Sequence, residues 1–413
     1  MSANSSPLSI EERSRITYKY EVLRSPFTGI ITEGWQTFAL LVAIRVFDAP
    51  ELFKSVIASA NAIGNLITPL VLYMVSRTTR TTAQLLMWLW AAVGFTFVCA
   101  AFWPGLWGFT FWIVLGQLLA AQVSPFVLLI YSKNFKASER GSKLSLAFML
   151  TAVSGAVFCL VCGRLLDNNI DLYRALYLMM AGAALTAAAL YRRVPSEPPQ
   201  SPQMRHPLGN FKYAFTDKLF GRLLISWKFM GLANLMMLPL RVEYMANPAY
   251  GLNLSNEKVA IVTVLLPAVA RMFSTHLWGI LFDRVNFLTL RATVNGVFMV
   301  SIALFFNTQS YFWLCVSALL IGMAFGGGGV MWTLWVTKVA PPDKVPAYMS
   351  VHMSLTGVRG VIAPFLGFYL LGHFTPSQVS YVAMGLIVLS MWGFAGAREE
   401  LDRRSKAFEK LNS

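Results

Sequence analysis

RRVPSEPPQSPQMRHPLGNFK, residues Arg192–Lys212, carries five prolines and several basic side chains in a chain that is otherwise strongly apolar. Proline removes a backbone donor and clashes with the preceding turn, so this stretch cannot be helical throughout and reads as a linker. Outward from it, on either side, lie six hydrophobic runs of roughly twenty residues, the length a helix needs to cross a hydrocarbon core of about 30 Å. They begin near Ser25, Glu51, Thr82, Leu106, Lys143 and Leu172, then near Leu219, Glu257, Leu288, Ser310, Pro346 and Ser377. With 56% hydrophobic and 13% charged residues in 413, the main solvent of this chain is lipid. A membrane β-barrel would need strands of about ten residues alternating apolar with polar, and no such pattern is present. The expected fold is therefore an all-α integral membrane protein of twelve transmembrane helices in two six-helix pseudo-symmetric halves. The expected division is 1–191 for the N-terminal tail and helices 1–6, 192–218 for a cytoplasmic linker, and 219–413 for helices 7–12 and the C-terminal tail.

A net charge of +15 raises the question of nucleic acid, and the placement of the charges answers it. With the N-terminus taken as cytoplasmic, most Lys and Arg fall in the tails and inward loops. The exceptions are Arg45, Lys54, Arg164, Arg174, Arg241 and Lys258 at outer ends, and Lys228, Arg271 and Arg359 within helices. This asymmetry follows the positive-inside rule, puts both termini in the cytoplasm, and leaves no reason to invoke nucleic acid. The first 24 residues are polar and lack the apolar core of a cleavable signal, so the first span is expected to direct insertion. Cys99, Cys159, Cys162 and Cys315 all lie in apolar runs, and the C-x-x-C of Cys159 and Cys162 has no second ligand pair, so neither a disulfide scaffold nor a metal is expected.

GILFDRVNFLTLR, Gly279–Arg291, lies at the inner end of the eighth run. Gly279, Leu281, Asp283 and Arg284, with Arg291 beyond, resemble the G-x-L-x-D-R signature between helices eight and nine of the major facilitator superfamily. SERGSKLSL, Ser138–Leu146, with Arg140, is similar to that family's basic segment between helices four and five. YMVSRTTRTT, Tyr73–Thr82, keeps Arg77 and Arg80 but lacks the aspartate and glycine of the corresponding inner loop. The resemblance implies a cytoplasmic charge relay through Gly279, Asp283, Arg284, Arg291, Arg77 and Arg140. It also implies that helices 1, 4, 7 and 10 line a central cavity, with helices 2, 5, 8 and 11 between the halves.

Against that plan the polar residues sort by helix. An ionisable group at mid-membrane costs about 2.5–3.5 kcal/mol on insertion scales and needs a partner, water or a task. Helix 11 offers His352, Thr356 and Arg359 on one face, and helix 8 offers Arg271, Thr275 and His276. Helix 2 offers Asn61, Asn65 and Thr68, helix 4 Gln117 and Gln122, and helix 7 Lys228 and Asn234. Helix 1 contains TEGWQ with Glu33, Trp35 and Gln36.

Lys228, Arg271 and Arg359 are opposed within the spans by Glu33 alone, a balance that favours an anionic solute held by guanidinium groups. The alternative reading has the arginines bonding to helix carbonyls or to the asparagines and bracing the fold. Substrate-binding candidates are thus Arg359, Arg271, Lys228, Asn61, Asn65, Gln117, Gln122, Asn234 and Trp35. Proton-coupling candidates are Glu33, His276 and His352.

The expected function is transport of a small organic solute by alternating access, proton-coupled or facilitative, with binding between two repeats near the bilayer midplane. Drug or metabolite efflux competes, although Ser145–Gly163 on helix 5 contains no proline of the kind many exporters of the family carry there. A non-transporting sensor or a membrane-embedded enzyme is the rival from another class. No attached signalling domain, clustered nucleophile, metal set or phosphate-binding loop supports either. No cofactor is expected. The expected partners are a small-molecule substrate, a co-transported proton and the lipid bilayer, and the expected setting is a monomer in a bacterial inner membrane.

Overall fold

The computed structural model describes residues 9–75, 77–136, 139–199, 207–341, 344–401 and 403–404. These residues are helical with no strand, and twelve helices are long and apolar enough to span a membrane. They are α1 (Ile10–Arg45), α2 (Glu51–Val75), α3 (Thr82–Phe102), α4 (Gly105–Asn134), α5 (Arg140–Asn168), α6 (Ile170–Tyr191), α7 (Lys218–Ala246), α8 (Asn256–Phe282), α9 (Phe287–Phe306), α10 (Tyr311–Gly329), α11 (Val345–Leu371) and α12 (Pro376–Ala395). All but the first begin within a few residues of the expected positions.

α1 starts well before Ser25 because its polar residues are used rather than solvated. Ser9 and Glu12 form a reciprocal cap: the Ser9 hydroxyl accepts from the Glu12 N–H at 3.2 Å and the Glu12 carboxylate accepts from the Ser9 N–H at 3.0 Å. Ser14, Thr17, Glu21 and Arg24 are buried, and Glu21 pairs with Arg24 one turn away. From Ile10 onward, the stretch expected as the N-terminal tail forms the first turns of a 36-residue helix.

The chain forms two compact units. The first comprises residues 1–49, 60–202 and 255–260, and the second residues 50–59, 203–254 and 261–413. In the first unit, α1 packs on α5 and α3 on α6 at positions without side-chain bulk. A Cβ at Gly29 would lie 2.0 Å from the Thr151 carbonyl oxygen, and one at Gly94 would lie 3.3 Å from that of Ala181. Such close approach substitutes packing for the hydrophobic drive that lipid does not supply. Trp35, Phe97, Tyr177 and Phe109 form its aromatic centre, with Trp35 and Phe97 centroids 4.9 Å apart. The first turn of α8 is capped here by α5, the Asp167 carboxylate accepting from the N–H groups of Asn256 (2.6 Å) and Glu257 (3.1 Å).

The linker's first residues are anchored to this unit. The Glu197 carbonyl accepts from the Thr82 N–H at 3.0 Å, and the Ser196 hydroxyl from the Ala83 N–H at 2.8 Å. Residues 200–206 lie outside the described residues.

In the second unit, α10 packs on α8 through Gly322 and Gly326, where added Cβ atoms would lie 2.4 Å from the Pro267 carbonyl oxygen and 2.5 Å from the Ser274 hydroxyl. These glycines therefore serve helix contact. A single π-helical turn, Ile261–Leu265, stands ahead of Pro267 and absorbs the backbone bond that proline cannot make. The first turns of α2 join this unit through a buried ion pair, Lys54 Nζ to Glu243 Oε1 at 2.7 Å.

Candidate functional site

On α7, Trp227 is buried and the next residue, Lys228, is exposed, as a 100° step per residue requires. Arg271 and His276 on α8 are likewise exposed, with Thr275 donating to the Arg271 carbonyl at 2.7 Å. Among the described residues no ion pair joins Lys228 or Arg271 to a carboxylate. Asn234, half-buried on α7, contacts the Met230 sulfur through Nδ2 at 2.9 Å and leaves its buried Oδ1 without a partner.

Arg359 is placed differently from those two cations. It is buried, donating through Nη1 to the Trp227 carbonyl at 2.6 Å and through Nη2 to the Thr356 hydroxyl at 3.0 Å. Gly231 makes the room: a Cβ there would sit 2.4 Å from the guanidinium carbon. His352, one turn before Thr356, is enclosed by the rings of Trp227, Trp332 and Trp335 at 5.3, 5.5 and 5.2 Å. The expected helix-11 stripe thus exists, and it faces α7 and the end of α10 within its own unit.

In the first unit, Asn61 and Asn65 are exposed on α2 and hydrogen-bonded to each other at 3.0 Å. Gln122 is buried where α4 breaks for one residue. It accepts from the Thr68 hydroxyl at 2.9 Å and donates to the Gly64 carbonyl at 2.7 Å, tying α4 to α2. Gln117 is half-buried. Glu33 is half-buried on α1 against α5, where a Cβ at Gly155 would meet its Cγ at 2.4 Å. Trp35 is buried against Phe97 and Gly116 in the unit's own core. The sequence thus identified these polar residues, and the structure does not bring all of them to one surface.

The loop residues scatter as well. Arg77 donates to the Tyr73 hydroxyl and lies 4.7 Å from its ring. Arg140 donates to the Ser132 and Phe135 carbonyls at 3.3 and 3.2 Å, satisfying the end of α4. Arg284 is exposed, and the side chain of Asp283 lies outside the described residues. Among the described residues nothing lies within 4 Å of a Cβ built at Gly279. Arg291 is not in a loop but one turn inside α9 and wholly buried, its guanidinium 4.3 Å from the Trp227 ring.

Several interactions at the helix ends escaped the sequence reading because each needs partners distant in the chain. Glu197 accepts from Arg13 at 2.7 Å and Lys133 at 3.0 Å, and those hydrogen bonds, Arg13 first, hold its carboxyl below the usual range. Asp217 caps α7 through the Phe220 N–H at 3.2 Å and accepts from Arg404 at 2.6 Å and from the Tyr348 hydroxyl at 3.0 Å. Burial opposes ionisation of Asp217, yet the bonds from Arg404, Phe220 and Tyr348 outweigh it and lower its pKa. Its signal was readable, since an aspartate before an apolar run is a helix start. Among the described residues no group of three or more His, Cys, Asp or Glu could hold a metal.

The family model of the Major Facilitator Superfamily matches residues 27–364. This chain belongs to the major facilitator superfamily. Solved facilitator structures share its fold at low sequence identity. The nucleoside transporter NupG aligns with a TM-score of 0.74 at 12% identity, covering 92% of this chain and 98% of that one. The D-xylose–proton symporter gives 0.68 at 15%, covering 91% and 97%. A bacterial homolog of the human lysosomal transporter Spinster gives 0.67 at 13%, covering 95% and 97%. No curated protein matches this facilitator in sequence. It is a multi-pass integral membrane protein with a transporter fold.

Proposed function

We propose that this facilitator is a secondary transporter that moves a small organic anion by alternating access of two bodies, residues 1–191 and 219–413, joined by the 192–218 linker. The observation that carries the reading is the pair Lys228 and Arg271. Both are exposed cations well inside apolar helices, and neither has a carboxylate partner among the described residues. Such charges are costly at mid-membrane depth, and an anionic solute offsets the cost each time it binds. Arginine adds planar, two-point recognition of a carboxylate or phosphate.

Arg359 serves this site from behind, fixing the backbone beside Lys228 through the Trp227 carbonyl. Asn61, Asn65, Gln117 and Asn234 supply neutral hydrogen bonds, Gln122 and Trp35 hold the wall, and His276 lines the path toward the cytoplasm. Glu33 takes up and releases the coupling proton. The inner-end charges Arg77, Arg140, Asp283 and Arg284 exchange partners during the cycle. Both termini face the cytoplasm of a bacterial inner membrane, and the monomer is the working unit.

Purified variants in proteoliposomes test this assignment. Lys228→Gln and Arg271→Gln are each expected to lower anion uptake at least tenfold with an unchanged melting temperature. Uptake at the wild-type rate by both would remove these residues from the solute site. Glu33→Gln is expected to abolish stimulation by an imposed pH gradient while leaving solute exchange intact, and a retained pH response would exclude Glu33 as the coupling group.

A further inference from the structure

Arg291 is a cation in the interior of the second unit, and among the described residues no carboxylate neutralises it. It has 0% exposure, and its Nε, Nη1 and Nη2 make no hydrogen bond. One turn along α9, Asn295 is also 0% exposed, with both its Nδ2 and Oδ1 unpartnered. The Arg291 guanidinium stacks on Trp227, whose indole lies 5.7 Å from that of Trp335, and His352 stands against both. The indole Nε1 atoms of Trp227 and Trp335 and the Nε2 of His352 are buried and unpartnered too. Arg359 adds a second buried guanidinium, held on the carbonyl of that same Trp227. Among the described residues neither arginine has an ion pair.

Native interiors leave few polar groups unpaired, and here several lie together on α7, α9, α11 and the turn after α10. Water could meet the N–H groups, but it would leave the guanidinium charge of Arg291 uncompensated in a low-dielectric interior. The groups offered are nearly all donors, so the occupant must be an acceptor carrying negative charge. Full burial of these groups requires it to be small, and a monatomic anion meets that requirement.

We propose that the second unit holds a buried halide ion between Arg291 and Asn295, walled by Trp227, Trp335 and His352. It is a resident ion that lets two arginines share one helix bundle, distinct from the transported solute. The proposal therefore stands or falls apart from the identity of that solute.

The test uses the purified full chain in detergent and needs no transport. Exchange of chloride for gluconate is expected to lower the melting temperature by several degrees, with saturable recovery on adding chloride or bromide. Iodide is expected to quench tryptophan fluorescence with a saturable component. Arg291→Met should melt at the same temperature in both anions and lose that component. Should Arg291→Met fail to fold, Asn295→Leu is expected to weaken halide affinity at least tenfold, and crystals grown in bromide should show an anomalous peak beside Arg291. Equal melting in chloride and gluconate, a wild-type halide response in the variants, or a bromide map without that peak would overturn the site. A stronger response to formate than to bromide would overturn the halide assignment.

Discussion

Gly231 and Arg359 form one arrangement across two helices, the missing side chain on α7 being the space the guanidinium on α11 occupies. Gly231→Ala is expected to force the guanidinium off the Trp227 carbonyl, at a cost of about 1–3 kcal/mol for overpacking plus a buried unpaired donor. A lowered melting temperature, partly restored when Arg359→Met is added, checks the coupling. That Arg359 needed a partner was legible in the sequence, because a charge in an apolar run always does. The identity of the partner was not, since a backbone carbonyl 132 positions away leaves no mark on composition or spacing. Arg291 shows the opposite case. Its place near a loop signature suggested an inner-face charge, and only the packing of α9 on α7 reveals it as buried.

Helix ends carry the account at the next scale. Asp217 joins the start of α7 to α11 through Tyr348 and to the C-terminal residues through Arg404. Its folded pKa is lowered, so the stability it contributes is fully present above the unfolded value of about 3.9 and is lost as pH falls through the folded value. Melting temperatures measured from pH 6 down to pH 3 should fall in the acid limb, and Asp217→Asn should flatten that limb while lowering stability near neutrality. An acid limb unchanged in the variant would show that other carboxylates control it. The period of the apolar runs placed eleven helices closely, since lipid-spanning length is a strong constraint. It missed the start of α1 because Glu21 and Arg24 read as solvated charges until Tyr131, Tyr191 and the rest of the first unit close around them. Gly322→Val, which would drive a side chain into the Pro267 carbonyl, is expected to abolish folded protein in the membrane.

For the whole molecule, the twelve spans and the loop signatures in the sequence already point to the superfamily. The polar residues that could meet a solute were also visible, but their division into exposed Lys228 and Arg271 and enclosed Arg359, His352 and Arg291 depends on helix rotation, which the sequence specifies only through packing. In the proposed reading, that division leaves Lys228 and Arg271 to meet the solute and keeps the innermost arginines away from it. The transported solute is proposed to be an anion. Proteoliposomes offered matched carboxylate or phosphate, neutral and amine solutes should accumulate only the anions, with saturation and mutual competition. Saturable uptake of neutral or cationic solutes, with anions neither transported nor competing, would contradict it.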